Sequence, residues 1–157
     1  MLVQALISEA PVEALDEGVL DGLAGFDEAI VLDQVGHISE GSAENFFMVR
    51  DGVVYTPPIY ANILEGITRR TAIQLIRDEL GLEVVEREID RTEVFIADEA
   101  FFCGTGVQVV AITEVDHRAV GTGKMGPVVG ELRKLYFDVV RGKNPKYRDW
   151  NTAVYTD

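Results

Sequence analysis

The apolar positions of this chain fall into short alternating runs broken by turn residues, with a few longer stretches at helical spacing. Residues 11–24 (PVEALDEGVLDGLA) put Leu15, Val19, Leu20 and Leu23 on one helical face. Pro11 is admissible in a first turn, while Gly18 and Gly22 weaken the helix. AIVLD (29–33) reads as a short strand closed by a turn near Gly36. NFFMVR (45–50) and VVYTP (53–57) flank Asp51-Gly52, a hairpin signal because glycine supplies the positive φ of a tight turn. GITRRTAIQLIRDEL (66–80) predicts a helix with Ala72, Ile73, Ile76 and Leu80 on one face and Gly81 as its stop. LEVVEREI (82–89) follows as a strand, and Thr92 is placed to cap a short helical turn running to Asp98. AFFCGTG (100–106) and VVAITEVD (109–116) are strands joined through Gly-Thr-Gly. GPVVGELRKLYFDVVRG (126–142) is the last helix, with Val128, Leu132, Leu135, Tyr136 and Val139 facing inward. The closing segment lacks periodicity, but Tyr147, Trp150 and Tyr155 favour docking on the domain over disorder. Hairpins, mixed strands and two or three helices predict an α/β (α+β) domain with a mixed sheet.

Composition narrows the setting. A chain of 157 residues, 47% apolar and 26% charged, suits one soluble domain with a real core. No apolar run approaches the roughly 18 residues of a membrane span, and the N-terminus has no basic region of a signal peptide. A single cysteine, Cys103, excludes an internal disulfide framework, so the expected compartment is the cytoplasm. Of the net charge of −13, residues 1–49 supply −10, with ten Asp or Glu and no Lys or Arg. That surface disfavours nucleic acid and anionic membrane and reads first as a solvated acidic face. It also leaves no side-chain amine before Lys124.

Three loops are suited to chemistry. SEGSAEN (39–45) offers the carboxylates of Glu40 and Glu44 among small residues that permit close backbone approach. LEGITR (64–69) opens a helix, where free N–H groups and the Thr68 hydroxyl suit a phosphate; a plain helix cap is the simpler reading. CGTGVQ (103–108) is a strand-end turn whose N–H groups can face a ligand, with Thr105 adding a hydroxyl; an ordinary turn is the simpler reading. His37 and His117 lack metal-ligand spacing and read as surface residues, and Cys103 reads as a small core residue.

Taken in order, SEGSAENFF, DGVVYTPP, LEGITRRT, VFIADEAFFCGTG and DHRAVGTGKMGPV resemble the run found in branched-chain aminotransferases, class IV enzymes of fold type IV that use pyridoxal 5'-phosphate. D-amino-acid aminotransferases and aminodeoxychorismate lyases share that fold, but YTPP, EGITR and PKYRDWNTAVY favour the branched-chain group. The resemblance covers residues 25 to about 155 and implies that residues 25–157 form the family's large, cofactor-binding domain. It implies amino transfer between Leu, Ile or Val and 2-oxoglutarate. It assigns Glu40 to the pyridine nitrogen, Leu64 to the ring face, and Gly66, Ile67, Thr68 and Thr105 to the cofactor and its phosphate. Gly106 and Val107 would meet the substrate carboxylate through their N–H groups. Gly106-Val107 stands where many members have Ala-Ala, and Glu65 where Pro is common.

The larger departure is N-terminal. Family members are longer, and a smaller domain supplies a phosphate-binding arginine and part of the substrate pocket. They also carry the lysine that holds the cofactor covalently. In register with that pattern, Leu6 occupies the lysine position and Pro11 that of a tyrosine touching the cofactor's phenolic oxygen, so residues 1–24 form an atypical segment. The expectation is a truncated or rearranged domain with no catalytic residue of its own at that position. It would act with a homo-oligomeric or separate partner chain, or serve as a non-catalytic phosphate-binding or interaction domain.

Overall fold

The computed structural model describes residues 2–8 and 26–152. The expected helix at 11–24, the position of Pro11 and that of Tyr155 lie outside them, as does the side chain of Leu6. The strands are β1 (Leu2–Ser8), β2 (Glu28–Leu32), β3 (Ile38–Gly41), β4 (Asn45–Arg50), β5 (Val53–Thr56), β6 (Val84–Glu86), β7 (Glu99–Gly104), β8 (Gln108–Val115) and β9 (Arg118–Ala119). The helices are α1 (Ile67–Leu75), continued by a π-helical turn over Ile76–Leu80, and α2 (Pro127–Val140). Short 3-10 turns cover Arg91–Ile96 and Pro145–Trp150.

One mixed sheet runs in the order β3-β2-β1-β8-β7-β4-β5-β6, with β9 paired to β8. β1 is parallel to both β2 and β8, and β4, β7 and β8 form an antiparallel centre. The alternation of side chains divides the interior into two layers. Phe47, Val49, Phe101, Cys103, Val109 and Ala111 face α1, α2 and the closing segment. Phe46, Met48, Phe102, Val110 and Ile112 face the other way, packed with Val3, Ile30, Ile38 and Val94. The sheet curls on this second layer: Ile38 N–H donates to the Ile89 carbonyl at 2.8 Å, tying β3 to the segment after β6.

Most elements follow the hydrophobic pattern. The Asp51-Gly52 turn has φ of 51° and 76°, and Gly81 ends its helix at φ 64°. Tyr147 docks as expected, buried, with its hydroxyl donating to Glu79 at 2.7 Å. Four details differ. SEG is strand rather than loop, so Glu40 is held by the pairing of β3 with β2. The strand expected over 82–89 shrinks to Val84–Glu86 because only that stretch pairs with β5. The cap at 92 is Asp90 instead: its carboxylate accepts from Thr92 N–H while Glu93 reaches back to Asp90 N–H, a capping box. The inward face of α2 includes Val129, fully buried, whereas Val128 and Leu135 are only partly buried.

The start of α2 is capped from another element. Glu99, at the head of β7, accepts from Val128 N–H at 3.0 Å and Val129 N–H at 2.9 Å. A carboxylate here satisfies two orphan donors and complements the helix dipole. Glu99→Ala is expected to destabilise the protein by about 1–3 kcal/mol in urea unfolding. Glu99→Gln, which can still accept one bond, should lose less.

Candidate functional site

Pairing brings three chain segments to one end of the sheet. β3 delivers Glu40 and Gly41, the register Asn45↔Cys103 sets the head of β4 beside the tail of β7, and the chain after Leu64 enters α1. Between them lies a cavity of about 540 Å³ whose walls include Glu40, Glu44, Asn45, Leu64 to Thr68, and Cys103 to Gly106. The three loops selected from the sequence thus share one cavity. A second cavity of similar size, about 540 Å³, is lined by residues 32–36, Asp90 and Arg91, and holds none of the selected loop motifs.

Small residues make the walls approach closely. A side chain at Gly66 would collide with Asn45 Oδ1, and one at Gly41 would press on the Glu44 carboxyl and Phe102. Gly106 faces open space. The two sides of the cavity differ in charge. On one, Glu40 Oε2 accepts from Leu64 N–H at 3.0 Å and Asn45 Nδ2 at 3.2 Å. Among the described residues no hydrogen bond engages its Oε1. On the other, α1 begins at Ile67 after Gly66 with no side-chain cap and no acidic residue in its first turn. Its leading N–H groups are therefore available to an anion. An elongated ligand with a cationic edge and an anionic tail matches that polarity.

Burial perturbs the acids. Desolvation raises the Glu40 carboxyl above its usual range, against the lowering effect of the Leu64 N–H. Glu44 is buried and forms a hydrogen bond with the Glu28 carboxyl; desolvation first, then that neighbour, push it up to about 7. Burial pushes the Cys103 thiol up to about 12, which makes it an inert wall at neutral pH.

The placement of the expected residues is uneven. Glu40, Leu64, Gly66, Ile67, Thr68, Thr105 and Gly106 all line the cavity, and Leu64 and Ile67 are 75% and 74% exposed at its mouth. Val107 is outside the lining, with its side chain packed on the second core layer. The Leu6 backbone pairs with Ala29 between β2 and β8. His117 is largely exposed, whereas His37 is only partly so, with Nδ1 enclosed and 3.7 Å from Asp33. Asn45 and Cys103 are wall residues inside the selected loops 39–45 and 103–108, but sequence reasoning gives neither a role of its own; the mark of Asn45 is its place at the junction of SEGSAE with an alternating strand.

The amino-transferase class IV model matches residues 22–115. The chain belongs to the class IV aminotransferases. It is 48% identical over 141 residues to the branched-chain-amino-acid aminotransferase of Pseudomonas aeruginosa, covering 90% of this chain and 44% of that protein. It is 45% identical over 133 residues to a probable branched-chain-amino-acid aminotransferase of Aquifex aeolicus, covering 85% of this chain and 43% of the relative. The chain thus spans less than half the length of these class IV relatives. The crystal structure of the Thermobaculum terrenum branched-chain enzyme in its PLP form superposes with a TM-score of 0.90 at 36% identity, over 99% of this chain and 56% of the other. The expected fold is therefore the observed one, and pyridoxal phosphate is the cofactor of this class IV family.

The buried acid of this class IV domain has a pH consequence. Because its folded value lies above the ordinary 4.5, stability from protonated Glu44 is full below about 4.5 and is lost as pH rises through about 7. Glu44→Gln imitates the protonated form at every pH. The variant should match the wild type near pH 4 and exceed its thermal midpoint at pH 8.5. Equal midpoints across that window would show that Glu44 ionises freely.

Proposed function

We propose that this chain is a pyridoxal-phosphate-binding domain of the branched-chain aminotransferase type. The carrying observation is one cavity with a Glu40 carboxylate oxygen that has no hydrogen bond among the described residues at one side and the uncapped start of α1 at the other. These groups fit the cofactor's two ends. Glu40 would hold the protonated pyridine nitrogen. The N–H groups of Ile67 and Thr68, with the hydroxyls of Thr68 and Thr105, would hold the phosphate. Leu64 would lie against the ring, and the N–H groups of Gly106 and Val107 would orient a substrate carboxylate. When bound, the protonated ring serves as the sink for the electron pair left when an amino acid loses its α-proton.

The reaction to which such a domain contributes is amino transfer between Leu, Ile or Val and 2-oxoglutarate, in the cytoplasm. On our reading this chain does not complete that reaction alone. Among the described residues no wall of the cavity carries a lysine, the first lysine in the sequence is Lys124, and Leu6 holds the expected position. A covalent anchor and a proton shuttle would then come from outside these 157 residues, for which a separate lysine-bearing partner chain is the candidate. A second reading, favoured by the exposure of Tyr60, Leu64 and Ile67, is a non-catalytic phosphate-binding or interaction domain that packs on such a partner.

Titration with pyridoxamine 5'-phosphate, which forms no covalent link, tests the site directly. Saturable binding is expected, weakened at least about tenfold by Glu40→Gln, since a charge-assisted bond is worth roughly 1.5–3 kcal/mol. Borohydride reduction with pyridoxal phosphate should leave no stoichiometric adduct on a cavity residue. Absence of saturable binding would reject the cofactor-domain reading, and a single stoichiometric adduct in the cavity would reject the need for a partner.

A further inference from the structure

Asn45 is an amide whose every polar atom meets the two sides of the cavity. It opens β4, is 5% exposed, and is fixed by the pairing of Asn45 with Cys103. Nδ2 donates to the Leu64 carbonyl at 2.7 Å and to Glu40 Oε2 at 3.2 Å. Oδ1 lies against Gly66, where no side chain fits. The Leu64 carbonyl can only accept, so the orientation of the amide follows from chemistry. Leu64 N–H closes the circuit by donating to the same Glu40 oxygen at 3.0 Å. Three residues further on, α1 begins.

We propose that Asn45 is a positioning residue that locks the Glu40 carboxylate to the Leu64–Gly66 segment, fixing the separation between the anion at the ring nitrogen and the helix start at the phosphate. The proposal rests on the cofactor reading above and adds a role for a residue that would not touch the cofactor. The physical case is the occupancy of Oε2. With two donors there, the carboxylate cannot rotate without breaking both bonds, and Oε1 is left without a hydrogen bond among the described residues. Losing Nδ2 leaves Glu40 Oε2 held by Leu64 N–H alone and takes one of two donors from the Leu64 carbonyl, which keeps Gly66 N–H at 2.8 Å. Serine is too short to reach both acceptors. Aspartate would set acceptors against acceptors and add a like charge beside Glu40.

The test compares pyridoxamine 5'-phosphate with its analogue in which the ring nitrogen is replaced by C–H. The wild type should prefer the nitrogen ring by roughly 10- to 100-fold, the range of one charge-assisted hydrogen bond. In Asn45→Ala and Asn45→Asp that preference should fall at least threefold, with the affinity for the analogue changing much less. Combining Asn45→Ala with Glu40→Gln should lower the preference no further than Glu40→Gln alone. Equal weakening of both ligands, or an unchanged preference, overturns the proposal and leaves Asn45 a structural residue. Should Asn45→Ala not fold, Asn45→Ser keeps one donor and carries the same comparison. A ligand-free arm separates the two readings. In a carboxyl-carbon NMR titration, Asn45→Ala should move the Glu40 midpoint upward. If the wild type binds neither ligand, the cofactor reading fails, while this arm still decides whether Asn45 governs Glu40; an unmoved midpoint overturns that link.

Discussion

The pairing of β4 with β7 is the constraint on which the rest depends. Both strands are buried on both faces, and their five-pair register runs from Asn45↔Cys103 to Val49↔Glu99. Phe47 stacks on Phe101 at 4.8 Å on one side, while Phe46 meets Phe102 edge-on on the other. A slip of one residue would exchange the two faces of every side chain and swap the core layers. The same register sets the site, because it puts Asn45 next to Cys103 and Gly104 at one end. At the other it puts Glu99 where it caps α2. Core and site are therefore consequences of one alignment.

The site has an unusual charge problem. Glu28, Glu40 and Glu44 converge on a region intended, on our reading, to hold an anionic phosphate. The structure separates the conflict. Glu44 turns into protein and shares its environment with Glu28, where burial favours the protonated acid. Glu40 remains at the cavity wall with one oxygen held by two donors. The end that would hold the phosphate on our reading offers helix N–H groups and hydroxyls, and Arg69, one residue past Thr68, points elsewhere: it is buried and bonds Pro57 and Glu86. Of the three carboxylates, Glu40 is the one held at the cavity wall by two donors, with Glu65 on the approach to α1 as its acidic neighbour there, and a cationic ring edge is the natural partner for Glu40.

Hydrophobic period and turn chemistry make much of the fold legible in the sequence. The Asp51-Gly52 hairpin, the helix stopped by Gly81, and the docked Tyr147 all follow from local rules that the tertiary fold reinforces. The features that local rules miss depend on distant partners. LVQALIS is a weak strand signal in isolation, yet it fills the gap between β2 and β8 with Val3 and Ala5 buried. SEG lacks apolar alternation and so resembles a loop; pairing with β2 makes it strand and fixes Glu40. Thr92 has the residue type of a cap, but the box requires an acid at position 90 and Glu93 three residues later. Val107 shares a motif with Gly106 but packs toward the other core layer. For the site, the three motif loops are visible as short segments suited to phosphate or bearing carboxylates, whereas the role of Asn45, the last residue of SEGSAEN, is not. Its role is a relation among β3, β4 and the approach to α1, and no spacing along one segment encodes it.

The exposed rim of the cavity calls for a covering surface. Leu64 and Ile67, three quarters exposed, stand at the mouth of the cavity, and Tyr60 is 72% exposed on the loop leading to them. Ile67 also borders a second apolar recess formed with Tyr136, Val139, Val140 and Trp150. Large side chains clustered around an opening are poorly explained by folding alone, since each loses little by facing water singly but much as a group. They are better explained if something covers the mouth. The same covering surface would exclude water from the Glu40 oxygen and the helix start, strengthening both interactions by lowering the local dielectric. Interface and ligand affinity are then linked: a partner that buries this rim should tighten cofactor binding, and cofactor binding should tighten the partner by the same factor.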